Sequence, residues 1–120
     1  MTTDQLPGRA AEELVANALA AQGWEILGRN VRLGRLELDI VARDGRVVVV
    51  VEVRSRSPEA FTTAFSSLDP LKRLRTRRAG ERLWNRKFRD DPSVDRLRFD
   101  AASVVYGPSG PTLEYVRAAF

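Results

Sequence analysis

The 120-residue chain contains no histidine and no cysteine. Histidine is the commonest general base and transition-metal ligand, so its absence excludes a serine–histidine triad and any histidine-based zinc site. Without cysteine there are no disulfides and no thiolate metal centres, which suits a cytoplasmic protein. No apolar run approaches the roughly 20 residues that a membrane-spanning helix needs. The opening "MTTDQLPGRAAEEL" also lacks the basic-then-apolar pattern of a signal peptide. No membrane association is expected. Any catalysis must therefore use carboxylates, lysine, arginine, tyrosine, hydroxyls or a hard cation such as Mg²⁺.

What the chain does carry is charge, unevenly placed. Residues 72–89, "KRLRTRRAGERLWNRKFR", hold nine Lys or Arg and one Glu, a net of +8. The whole chain carries only +4, so the remainder is mildly acidic. A patch this local points to a polyanionic partner more than a uniformly high pI would. Hydrophobic content of 43% is enough for one modest core, and the length fits a single domain over residues 1–120.

Periodicity gives the elements. Residues 8–22 read as a helix: Ala11, Leu14, Ala18 and Ala21 share an arc, Val15 and Leu19 lie beside it, and Gly23 ends it. Residues 1–7 ahead of it are expected to be flexible. Glu12 falls at the edge of the apolar arc and Glu13 points to water; acids in a first turn also favour the helix dipole. Strands are expected over 24–33, with a bend near Gly28, and over 35–43, with Leu36, Leu38 and Ile40 on one face. The β-branched run 46–54 has the pattern of a strand buried on both faces. Asp44-Gly45 is a two-residue hairpin signal. Residues 55–68 read as a loop, and Asp69-Pro70 as the start of a helix reaching about residue 87 and weakened at Gly80. Residues 90–95 form a loop, 96–106 a strand and 112–116 an edge strand. The class is α/β, in the order α-β-β-β-α-β-β.

The hairpin raises a question of charge. With Asp44-Gly45 as its loop, Arg43 faces Arg46, Glu37 faces Glu52 and Asp39 faces Val50. Alternation then projects Glu37, Asp39, Glu52 and Arg54 from one face. Asp39 and Glu52 become diagonal neighbours roughly 7–8 Å apart at the backbone. Like charges so placed destabilise a sheet, and partial burial raises the cost. Two things would offset it. One is a divalent cation, since Mg²⁺ usually takes one or two carboxylates from a protein. The other is a set of surface ion pairs to Arg35, Arg54 and Arg56.

Asp39 followed by Glu52-Val53-Arg54 resembles the D…(D/E)-x-K signature of the restriction-endonuclease-like fold. More closely, "GRAAEELVANALAAQGWEILGRNVR", "LELDIVARDGRVVVVVEVRSR", "LDPLKRLRTRRA" and "RFDAASV", in that order, are similar to the YraN family of small bacterial endonuclease-like proteins. The resemblance implies a restriction-endonuclease-like core, a mixed β-sheet flanked by helices. It implies that Asp39 and Glu52 hold Mg²⁺ or Mn²⁺, with Glu12 completing the shell directly or through water. Glu37 matches the family's E-[IL]-D element, and Lys72 the lysine opening the second helix. Arg98-Phe99-Asp100 match a strand motif expected to be structural. Leu36 stands where the family usually has Gly, and Arg54 where the nuclease signature has lysine. Arginine keeps the charge but stays protonated, so it will not act as a base.

The function so implied is a metal-dependent nuclease cleaving DNA phosphodiester bonds, branched or structured DNA included. Its catalytic residues would be Asp39, Glu52, Arg54, Glu12 and Glu37. Lys72, Arg73, Arg75, Arg77, Arg78 and Arg82 of the basic helix, with Arg56, would grip the nucleic-acid backbone; such contacts position without specifying sequence. Arg54 keeps a second expectation alive, a nucleic-acid-binding module of the same fold without catalysis. A third is an adaptor whose basic helix meets an acidic protein. Branched-DNA enzymes of this fold are often dimers, which leaves a homodimer open.

Overall fold

The computed structural model describes residues 6–56 and 70–120 of the chain. The elements are α1 (Leu6–Ala21), β1 (Glu25–Leu33), β2 (Leu36–Asp44), β3 (Val47–Arg56), α2 (Pro70–Leu83), β4 (Arg96–Gly107) and β5 (Gly110–Val116). A π-helical turn, Trp84–Phe88, continues α2. This is the order read from the sequence. Helix α1 starts earlier than expected and takes in Leu6 and Pro7, while Ser55 and Arg56 extend β3 rather than opening a loop. Pro70 opens α2, where its fixed φ and missing N–H cost nothing. The expectations for residues 1–5, for the loop over 57–68 and for Asp69 as N-cap lie outside the described residues.

The five strands form one mixed sheet in the order β1-β2-β3-β4-β5. β3 and β4 are parallel and the other neighbours antiparallel. The parallel pair follows from the crossover that α2 makes between them. β3 lies at the centre, and Val48, Val49, Val50 and Val51 are all fully buried, as a strand covered on both faces requires. On one face Val49 and Val51 pack with Ala11, Val15 and Leu19 of α1. On the other, Val48 and Val50 pack with Ala79 and Leu83 of α2. Each buried valine contributes roughly 1.5–3 kcal/mol, so β3 anchors both layers.

α2 runs unbroken through Gly80, which lets the helix settle on the sheet. A Cβ at this position would lie 2.6 Å from the Phe99 ring. Trp84 and Phe88 are half-buried and pack against the same cluster, which makes them part of the core. Arg98-Phe99-Asp100 also has the structural part expected of it. The buried Asp100 carboxylate accepts from Arg98 Nε (2.8 Å) and Nη2 (2.9 Å), from the Tyr115 hydroxyl (2.6 Å) and from the Ala118 N–H (2.9 Å). These bonds tie β4 to β5 and the C-terminal turn.

Two details of the hairpin differ from the sequence reading. The two-residue loop is Gly45-Arg46, with Asp44 opposite Val47 and Arg43 opposite Val48. Gly45 has φ of 58°, a left-handed conformation that suits glycine. Tertiary contacts set this choice: the Arg46 carbonyl accepts the Asp95 N–H (2.7 Å), and Arg43 Nη2 donates to the Ser93 carbonyl (2.8 Å). Accordingly Glu37 does not face Glu52; it faces Arg32 of β1. Asp39 does not face Val50, which pairs with Val41. The second difference is that Leu36, Leu38 and Ile40 do not share a face. Leu36 and Leu38 pack on the α2 side, Ile40 on the α1 side. The ladder to β3 ends at Ile40↔Val51, and beyond it β2 is held by β1 and rolls over at Asp39.

Candidate active site

The roll at Asp39 builds the site. One step past Ile40↔Val51, Asp39 comes level with Glu52. Asp39 Oδ2 there accepts the Val53 N–H at 2.9 Å, a side chain taking the place of the ladder. Its carboxylate is thereby fixed beside that of Glu52. Glu52 is only 2% exposed. Burial, and then the neighbouring Asp39, push its pKa up to about 7, against the opposing pull of Lys72. Lys72 Nζ makes an ion pair with Glu52 Oε1. Desolvation thus outweighs the ion pair, as it often does for a buried carboxylate.

Glu12 approaches from α1. Its pKa is also raised, by burial first and then by Asp39, while a hydrogen bond from the Asn30 side chain opposes the rise. Asn30 is the residue of β1 level with Asp39, between the pairs Arg29↔Ile40 and Val31↔Leu38. Its φ of 50° is left-handed, a conformation Asn tolerates better than most residues. Nothing in the strand pattern singled it out; the Asn within an apolar–basic strand was the only signal.

On the other side of Lys72 from Glu52 opens a cleft of about 440 Å³, lined by Arg35, Leu36, Glu37, Arg54, Lys72, Arg75 and Thr76; Asp39 and Glu52 lie beside it and do not line it. Four cations from the β1–β2 turn, β3 and α2 surround one acid. Glu37 faces the cleft while pairing with Arg32 at 3.7 Å. The buried Nε of Arg54 makes no hydrogen bond among the described residues. Arg35, expected only as a counter-charge to the hairpin acids, and Thr76, not singled out at all, join the cleft because turn geometry and the docking of α2 place them there.

The basic helix divides its charges. Lys72 and Arg75, three residues apart, share the cleft-facing side. Arg77 instead lies over the Phe99 ring, 5.3 Å from its centroid, and Arg82 Nη1 donates to the Leu33 carbonyl at 3.4 Å. Arg73 is half-buried and Arg78 exposed, neither lining the cleft. The Arg56 side chain lies outside the described residues. Among the described residues, the ion pairs to these acids come from Lys72 and Arg32 rather than from Arg35 or Arg54.

The donor set is two hard carboxylates, one buried, and among the described residues no group of three or more acidic side chains converges into a cage. That fits a cation such as Mg²⁺, which keeps several waters and takes few protein ligands. Asp39 and Glu52 are the pair that would hold it. Glu12 stands within electrostatic range of Asp39.

Residues 11–104 match the family described as "Uncharacterised protein family UPF0102", which is the YraN family of the sequence motifs. A UPF0102 protein of Sorangium cellulosum is 54% identical over 114 residues, covering 94% of this chain and 79% of its own length. UPF0102 proteins of Acidothermus cellulolyticus (39%, covering 94% of this chain and 92% of that protein) and Shewanella amazonensis (36%, covering 95% and 98%) are similar from end to end. Among the described residues no helix is long and apolar enough to cross a membrane.

Proposed function

This chain belongs to the UPF0102 family, and from the geometry of its own site we propose that it is a divalent-metal-dependent nuclease acting on DNA, branched or structured DNA included. The observation that carries this reading is the convergence of Asp39 and buried Glu52 beside a cleft lined by Arg35, Arg54, Lys72 and Arg75. Two carboxylates brought together against their mutual repulsion need a counter-charge, and a cleft of cations needs an anion.

A bound Mg²⁺ or Mn²⁺ would supply charge that polarises a phosphoryl oxygen and eases deprotonation of water. The protein's own residues do the rest. Asp39 and Glu52 would hold the metal, with Asp39 kept in place by the Val53 N–H. Arg35 and Arg75 grip the strand's phosphates. Arg54 stabilises charge developing on the phosphate; it cannot take a proton from water, because a guanidinium stays protonated. Glu12, aligned by Asn30, completes the anionic side from α1.

Two observations favour a second reading, a nucleic-acid-binding module without catalysis: Lys72 already gives Glu52 a counter-charge, and Arg54 replaces the signature lysine. Incubating the purified chain with labelled branched, single-stranded and duplex DNA, in Mg²⁺, Mn²⁺ or EDTA, separates the two. Metal-dependent cleavage that disappears in Asp39→Asn supports the nuclease. Salt-sensitive binding with no product at high protein concentration supports the module.

A further inference from the structure

Lys72 has two sets of neighbours. Its Nζ rests on Glu52 Oε1, and its side chain, 44% exposed, also lines the cleft with Arg35, Arg54 and Arg75. Among the ion pairs of the described residues, it is the cation paired with Glu52. It therefore holds one of the two oxygens through which Glu52 could bind a divalent ion, and an ammonium and a divalent cation repel when they share one buried carboxylate.

We propose that Lys72 is a tethered counter-cation that holds the metal position in the resting protein and gives it up when a phosphodiester enters the cleft, so that nucleic acid gates metal binding. This rests on the nuclease reading of the site and adds its regulation.

Charge balance supports the exchange. At rest, two carboxylates share one ammonium. With metal and DNA present, the two carboxylates match the divalent ion, and the released ammonium matches one phosphate. Both pairings are close to neutral, whereas metal without phosphate leaves the ammonium among Arg35, Arg54 and Arg75, where the one acid, Glu37, is already paired with Arg32. The lysine stem suits the motion: it is a point charge on four flexible carbons, where an arginine's planar fork commits to one geometry. Lys72 lies in the first turn of α2 on its cleft-facing side, so the shift needs a change of rotamer and no movement of the helix.

The test measures Mn²⁺ binding to the full chain by the electron paramagnetic resonance of free Mn²⁺. It is run without DNA, with a twelve-residue oligothymidylate, and with the uncharged methylphosphonate version of that oligonucleotide. Wild-type protein is expected to bind Mn²⁺ weakly alone and about tenfold more tightly with the charged strand, within the usual range of site-to-site coupling. The methylphosphonate strand should bring no tightening. Lys72→Met should bind Mn²⁺ about tenfold more tightly than wild type without DNA and gain little from adding it. Lys72→Gln, which keeps a polar contact to Glu52, guards against a folding defect in Lys72→Met and should behave likewise. Arg86→Met makes the same charge change away from the cleft and should match wild type.

Equal Mn²⁺ affinity of wild type and both Lys72 variants without DNA, with binding still lost in Asp39→Asn, overturns the gate and leaves the metal site standing. Tightening by Arg86→Met as large as by Lys72→Met also overturns it, since the effect would then be one of net charge. Failure of every variant to bind Mn²⁺ at millimolar concentration, with or without DNA, removes the nuclease reading together with the gate.

Discussion

Asp39 Oδ2 accepts the Val53 N–H at 2.9 Å while its carboxylate faces that of Glu52. Asp39 therefore contributes to stability in two opposite ways. The hydrogen bond satisfies a strand N–H that the β2–β3 ladder no longer reaches; the charge raises the cost of burying Glu52. Asparagine keeps an acceptor and removes the charge, whereas alanine removes both. Asp39→Asn is expected to be at least as stable as wild type at neutral pH. Asp39→Ala should be less stable than Asp39→Asn by about 1–3 kcal/mol, the cost of an unsatisfied N–H. Urea unfolding of the three proteins measures this. A strong loss of stability in Asp39→Asn would show that the carboxylate is structural rather than kept at a cost for function.

Glu52 predicts how stability changes with pH. Its pKa is about 7 in the folded chain, against an ordinary 4.5 for an unfolded glutamate. The folded state therefore binds the proton more tightly, and stability from this group is fully present below about pH 4.5 and lost as pH rises through 7. At about 1.4 kcal/mol for each unit between the folded and unfolded values, the loss is on the order of 3 kcal/mol. Glu12, also raised by burial and Asp39, acts in the same direction. Asp91 and Asp95, whose pKa values are lowered by hydrogen bonds to Ser93 and Arg46, act only at more acidic pH. Urea unfolding at pH 5 and pH 7.5 should find wild type less stable at the higher pH, and Glu52→Gln nearly flat across that window. A wild-type protein whose stability rises over the same interval would contradict the burial of Glu52.

The architecture was legible because β3 advertises itself: a run of β-branched residues covered on both faces forces helices onto both sides of the sheet. The hairpin loop was misplaced by one residue because Asp44-Gly45 is a local signal, and the contacts of Arg43 and Arg46 with residues 93–95 override it. The loop stayed two residues long, so every pairing of the β2–β3 ladder moved by two and side chains kept their faces as far as Ile40, where the ladder ends. That is why Asp39 and Glu52 still converge, level with each other instead of on the expected diagonal, even though their predicted partners were wrong. The roll at Asp39, the left-handed Asn30 and the split of the α2 arginines between cleft, Phe99 ring and Leu33 carbonyl depend on tertiary packing. No pattern of periods 2 or 3.6 encodes them.

Gly80 links helix packing to the site, because it sets how closely the helix bearing Lys72 and Arg75 lies on β4. In an exposed helix, alanine would be favoured over glycine by up to about 1 kcal/mol. Here the added methyl meets Phe99 ring carbons at 2.6 Å, and Phe99 is itself buried between α2 and Phe120. Overpacking of this kind costs about 1–3 kcal/mol, so Gly80→Ala is expected to destabilise the chain. Urea unfolding should give a lower midpoint, and Gly80→Ala with Phe99→Leu, which frees the space, should recover part of it. A midpoint above wild type for Gly80→Ala alone would mean that the helix stands further from the sheet.

Arg35 and Arg75 come from different elements to the same cleft, so their contribution to nucleic-acid binding is separable from that of the rest of the basic helix. Each cation that contacts a phosphate releases condensed counterions when DNA binds. The slope of log K against log salt therefore shrinks by about 0.7 per contact on a single strand and about 0.9 on a duplex. Arg35→Ala with Arg75→Ala is expected to weaken binding and to flatten the slope by roughly 1.4–1.8. Arg77→Ala with Arg82→Ala removes the same charge from side chains occupied by Phe99 and the Leu33 carbonyl. It should change the slope much less while lowering stability. Fluorescence anisotropy across a salt series reads the slopes, and unfolding of both double variants reads the stability. If the two pairs flatten the slope equally, the nucleic acid follows the whole length of α2, and the cleft is only one part of its track.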